Sequence, residues 1–116
     1  MEAPEVDNED LRSVTNLDRL IHEPARLAIV SLLYVLESAD FLFLMNQTGL
    51  TFGNLSSHIS KLEAAGYLDV TKTFLGKKPH TTLSMTDEGR AAFDTYCQSM
   101  RRVLDGIPGT DGPPGH

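Results

Sequence analysis

Residues 51–85 read TFGNLSSHISKLEAAGYLDVTKTFLGKKPHTTLSM, and the hydrophobic period changes partway through them. Over residues 51–65 apolar residues fall three and four apart, so Phe52, Leu55, Ile59 and Leu62 share one face of a helix. Thr51 is placed to cap its first amides, and Gly66 to end it in a left-handed turn. The opposite face carries Gly53, Asn54, Ser57, Ser60, Lys61 and Ala64. After Gly66 the period becomes two: Tyr67, Asp69, Thr71 and Thr73 alternate with Leu68, Val70, Lys72 and Phe74. Gly76, Lys77, Lys78 and Pro79 supply a turn, and residues 80–85 read as a returning strand. The stretch is therefore a helix followed by a two-stranded ribbon with a basic tip.

The outward face of that helix is short of long charged side chains, whereas a merely solvated face usually carries Glu and Lys four residues apart. Small residues let a backbone approach closely, Asn and Ser bond to base edges, and Lys reaches phosphate or guanine. Such a face suits the major groove of duplex DNA better than open water. The ribbon cations Lys72, Lys77 and Lys78, with His80, have two readings: protection of an exposed strand edge, or a grip on flanking phosphates.

Net charge sharpens the question. The chain of 116 residues carries −6, which opposes binding to a polyanion. Five of the negative charges sit at Glu2, Glu5, Asp7, Glu9 and Asp10, with no cation among the first ten residues. Residues 51–80, with four lysines against Glu63 and Asp69, are net +2 before histidines are counted. Local field rather than total charge governs attraction to phosphate. The length is that of one small domain with little spare core. The single cysteine, Cys97, forms no internal disulfide and fits a reducing cytoplasm. No apolar run is long enough to span a bilayer and no secretory leader opens the chain, so no membrane association and a cytoplasmic location are expected.

Around the central stretch, residues 1–10 read as an acidic disordered tail, residues 11–105 as the folded domain and residues 106–116, GIPGTDGPPGH, as a disordered Gly/Pro-rich tail. Asn16 is placed to cap a short helix ending at Ile21 or His22. Pro24 suits the first turn of the next helix, residues 24–37, which is apolar around most of its circumference and should be the buried centre. Its cation, Arg26, reads as solvated or salt-bridged as readily as functional. Asp40 offers a cap for a helix over residues 41–47, with Phe41, Leu42, Leu44 and Met45 buried. Thr48, Gly49 and Leu50 make the turn into the groove-facing helix. Thr86 caps a final helix whose stripe Phe93, Tyr96, Cys97, Met100, Val103 and Leu104 must be covered, by the chain's own N-terminal segment, by a second copy, or by both.

Three segments in order carry a family likeness: EPARLAI at residues 23–29, LTFGNLSSHISKLEAAGY at 50–67 and LSMTDEGR at 83–90. Together they resemble the winged helix-turn-helix domain of bacterial MarR-like and ArsR-like transcriptional regulators, in particular small stand-alone winged-helix DNA-binding proteins. The resemblance implies a mainly α fold with a small β-hairpin wing and a dimerisation layer of N- and C-terminal helices. It implies a homodimer that binds double-stranded DNA sequence-specifically, with contacts from Thr51, Gly53, Asn54, Ser57, His58, Lys61, Lys72, Lys77, Lys78 and His80. The expected dimer interface is Leu11, Val14, Leu17, Phe93, Tyr96, Met100 and Val103. An unidentified small-molecule effector is a further expected partner, in a pocket with Phe41, Phe43, Phe93 and Tyr96 as candidate lining. The alternative is a winged-helix protein–protein interaction module without DNA binding. No catalytic constellation, metal-ligand cluster or cofactor motif is present: the histidines, His22, His58, His80 and His116, are far apart and Cys97 is alone. Cys97 on the apolar stripe reads as a small buried residue before it reads as a redox sensor.

Overall fold

Side-chain caps and left-handed glycines set the element boundaries in the computed structural model, which describes residues 12 and 14–108. The order is α1 (Pro24–Leu36), β1 (Ser38–Asp40), α2 (Phe41–Thr48), α3 (Phe52–Ala64), β2 (Leu68–Leu75), β3 (Lys78–Met85) and α4 (Asp87–Asp105). Pro24 opens α1, where a missing amide costs nothing, and Glu23 caps it by accepting the Arg26 N–H. Asp40, Thr51 and Thr86 cap α2, α3 and α4 in the same way, accepting from Phe43, Asn54 and Gly89. Gly49 (φ 71°) and Gly66 (φ 83°) take the left-handed conformation that closes α2 and turns the chain out of α3.

The sheet has three antiparallel strands in the order β1-β3-β2. Register runs from Leu68 opposite Met85 to Leu75 opposite Lys78, leaving Gly76 and Lys77 as a two-residue turn. Gly76 at φ 66° stands at the first turn position, the arrangement a type II′ hairpin needs. The core is one cluster: Ile29, Val30 and Leu33 of α1, Leu44 of α2, Leu55, Ile59 and Leu62 of α3, Leu68 of β2 and Leu83 of β3. A smaller cluster joins Leu17 and Ile21 to Tyr96 of α4. The architecture is thus mainly α with a β-hairpin wing.

Several expectations change. Residues 14–23 form turns, not a helix capped by Asn16. Asp18 is the capping side chain there, accepting from Leu20 N and Ile21 N. Ser38–Asp40 is a strand that adds an outer edge to the hairpin, since Asp40 both ends it and caps α2. The returning strand starts at Lys78, two residues early. Leu42 and Phe52, expected inside, are 63% and 67% exposed, and Val35 on the supposedly enclosed α1 is 76% exposed. A single chain has too few elements to surround α1 or cover both sides of α2. Leu11 and the two tails, apart from residues 106–108, lie outside the described residues.

Candidate nucleic-acid interface

Leu55, Ile59 and Leu62 pull one side of α3 into the core, which turns the other side out. Gly53, Asn54, Ser57, Ser60, Lys61 and Ala64 are all exposed, as is the cap Thr51. A Cβ placed on Gly53 meets nothing within 4 Å, so glycine there serves no internal packing need. The helix and its cap therefore present a shallow polar strip bounded by small side chains.

His58 sits apart from this strip. It is half-buried on the flank of α3, and its Nδ1 lies 3.1 Å from the Arg26 guanidinium. Arginine only donates, so Nδ1 accepts and the neutral ring carries its proton on Nε2. Arg26 also donates through Nε to the Leu20 carbonyl at 2.5 Å and lies 3.9 Å from Glu23. Glu23 lies 3.8 Å from His58, and the Arg26 N–H that it accepts holds its carboxyl below the usual range. Arg26 is thus the paired arginine of the plainer reading, and it clamps α3 to the start of α1. Nothing in the sequence spacing of Glu23, Arg26 and His58 announces that clamp.

The wing stands beside α3. Lys72, Lys77 and Lys78 are exposed, while His80 is half-buried. Between wing and helix runs a groove of about 670 Å³, with Phe41 and Phe52 on one side and Lys72 and His80 on the other. Phe41 and Phe52 meet in a tilted ring pair 4.9 Å apart, which is where the unburied Phe52 finds its packing. Lys72 lines this groove from the wing, and Ser56, Ser60 and Glu63 line it from α3. Phe74 and Leu75 at the wing end are 71% and 64% exposed. Their signal was present in the sequence, two large apolar residues directly before a turn glycine.

The wing root is fastened tightly. Thr86 donates from Oγ1 to the Gly66 carbonyl at 2.6 Å and from its amide to the Tyr67 carbonyl at 3.1 Å. A Cβ on Gly89 would collide with the same Tyr67 oxygen, so only glycine lets α4 lie this close. The Tyr67 hydroxyl donates to Asp18 at 2.5 Å, which with burial pushes its pKa up to about 12.

The fold is shared with known proteins. Residues 25–104 match the family described as the winged helix DNA-binding domain. The chain belongs to that family. An uncharacterized protein of Methanocaldococcus jannaschii is 35% identical over 89 residues, covering 77% of this chain and 97% of that one. A transcriptional regulator homologue from Pyrococcus horikoshii OT3 is 30% identical with TM-score 0.78, covering 86% of this chain and 98% of that one. NadR, solved in complex with 4-hydroxyphenylacetate, shares the fold at 20% identity and TM-score 0.62, covering 97% and 86%. The chain is thus a member of a winged-helix DNA-binding family, and its likeness to a transcriptional regulator homologue runs over most of its length.

Other expected residues of this winged helix divide between core and surface. Leu17 and Tyr96 are buried against each other within the single chain, and Val103 is 8% exposed. Phe93 and Met100 are half-buried, and Val14 is 45% exposed. Of the four aromatic residues, Phe41 borders the wing groove and Tyr96 a second hollow of about 530 Å³ beside Asp18 and Glu88. Phe93 meets Tyr34 in a tilted ring pair 5.0 Å apart and stacks on Tyr96. Cys97 is a half-buried free thiol. Among the described residues no three His, Cys, Asp or Glu side chains are placed to hold a metal ion, and no helix is long and apolar enough to cross a membrane.

Proposed function

We propose that this regulator binds duplex DNA sequence-specifically as a homodimer, with α3 in the major groove and Lys77 and Lys78 on the phosphates. The observation that carries the reading is the exposed strip Gly53, Asn54, Ser57, Ser60, Lys61 and Ala64, set opposite the buried Leu55, Ile59 and Leu62 of the same helix. Asn54 and Ser57 supply base-edge hydrogen bonds, Lys61 a guanine or phosphate contact, and Gly53 the close approach. Thr51, whose hydroxyl caps Asn54 N, orients the helix end, and the half-buried His58 and His80 support its two flanks. A second copy would cover Val14 and the half-buried Phe93 and Met100 and add its own helix to a half-site about 34 Å away.

The test is selection of bound sequences from random duplex by the purified full chain, followed by titration of Asn54→Ala. The variant should lose on the order of 1–3 kcal/mol on the selected site and little on random DNA. Equal losses on both would remove Asn54 from base readout. Absence of any salt-dependent shift would favour the protein-binding alternative.

A further inference from the structure

The wing ends in apolar side chains that the fold does not use. Phe74 and Leu75, the last residues of β2, are 71% and 64% exposed. Phe74 stands across the ladder from Pro79, and Leu75 from Lys78. Every residue from 71 to 79 is exposed, so at about 3.3 Å per residue the tip reaches roughly 15 Å past the core. The hairpin does not need them: its turn asks only for Gly76, and lysines already guard the strand edges. Phe74 has no ring partner among the described aromatic residues.

The surroundings point to what such a tip meets. Lys72 lies two residues before Phe74, on the same face of β2, while Lys77 sits in the turn and Lys78 opens β3. An apolar point among cations complements a minor groove, which has phosphate walls and base edges at its floor. Phe, Leu and Pro are the side chain types that wedge between base steps from that side.

We propose that the wing tip is an apolar wedge: Phe74, backed by Leu75 and Pro79, enters the minor groove and partly unstacks one base step while the lysines hold the adjacent phosphates. The inference rests on the DNA-binding reading above. It adds a source of specificity that α3 does not supply. Pyrimidine–purine steps unstack most readily, so sites carrying one under the wing are favoured without any hydrogen bond to it. The duplex bends toward the major groove, by an angle in the range of about 20–90° for wedges of this kind.

The experiment uses the full chain and a selected duplex, labelled at both ends for energy transfer and with 2-aminopurine at the step beneath the wing. Binding by the wild type should shorten the end-to-end distance and raise the 2-aminopurine fluorescence. Phe74→Ala, which touches no core residue, should fold as the wild type, bind about tenfold more weakly with the salt slope intact, and lose both signals. Lys77→Ala with Lys78→Ala should do the reverse, flattening the salt slope and keeping the step preference. A wild type that binds a straight duplex, with Phe74→Ala indistinguishable from it, overturns the wedge and leaves DNA binding standing. A wild type that binds no duplex overturns both readings. Wild-type binding to phosphatidylserine vesicles, lost in Phe74→Ala and unaccompanied by DNA bending, would assign the tip to a lipid surface instead.

Discussion

Replacing Gly53 with leucine separates the fold from the function of α3. The glycine is exposed, in the first turn, and a Cβ there meets nothing within 4 Å. Helix propensity favours Leu over Gly by up to about 0.8 kcal/mol, less near a helix end. For a domain of this size that is a rise in melting temperature of about 2–4 °C. On DNA the same side chain occupies the space that the base edges would fill. Removing two base contacts at about 1–3 kcal/mol each lowers affinity roughly thirtyfold or more. Thermal melting followed by circular dichroism, and fluorescence anisotropy on a selected duplex, read the two effects independently. A variant that melts at or above the wild-type temperature and binds at wild-type affinity would refute the close approach of α3 to DNA. A lower melting temperature would instead show that the fold itself requires the glycine.

Three further outcomes are expected. Lys77→Ala with Lys78→Ala should weaken binding to all sequences alike and reduce the slope of log affinity against log salt by about 0.9 for each phosphate left without its lysine, measured by anisotropy from low to moderate salt. Tyr67→Phe should cost about 1–2 kcal/mol in urea unfolding at neutral pH, because Asp18 then has no hydroxyl to accept from. The folded state raises this phenol from 10.0 to about 12, so its contribution is complete below about pH 10 and fades as pH climbs toward 12, where the gap between wild type and variant should close. Met100→Glu puts a carboxylate on the half-buried α4 stripe and should convert a dimeric wild type to a folded monomer in light scattering, with a steep drop in DNA affinity.

The parts of this fold that could be read from the sequence are those set by neighbours in the chain. The caps Asp40, Thr51 and Thr86 and the left-handed Gly49 and Gly66 act within a few residues of themselves, and all five do as expected. Periodicity also placed Leu55, Ile59 and Leu62 inward, and with them the candidate strip. It could not say that Phe52, on the same apolar stripe, would pair with Phe41 and stay largely exposed, because that depends on where α2 ends up. The strand Ser38–Asp40 is three residues long, too short to show a period, and exists only because β3 passes beside it. The Arg26–His58 contact spans 32 residues and leaves no mark on local pattern.

The bare backbone of Gly89 against the Tyr67 carbonyl has a mechanical consequence. With Thr86 bonded to both Gly66 and Tyr67, the first turn of α4 and the root of the wing have no slack between them. The hairpin behaves as a stiff pointer mounted on the terminal helix, and a small tilt of that helix is magnified along the strands toward Lys77. Whatever sets the angle of α4, whether a second copy or a bound molecule, sets the aim of the wing at the same moment.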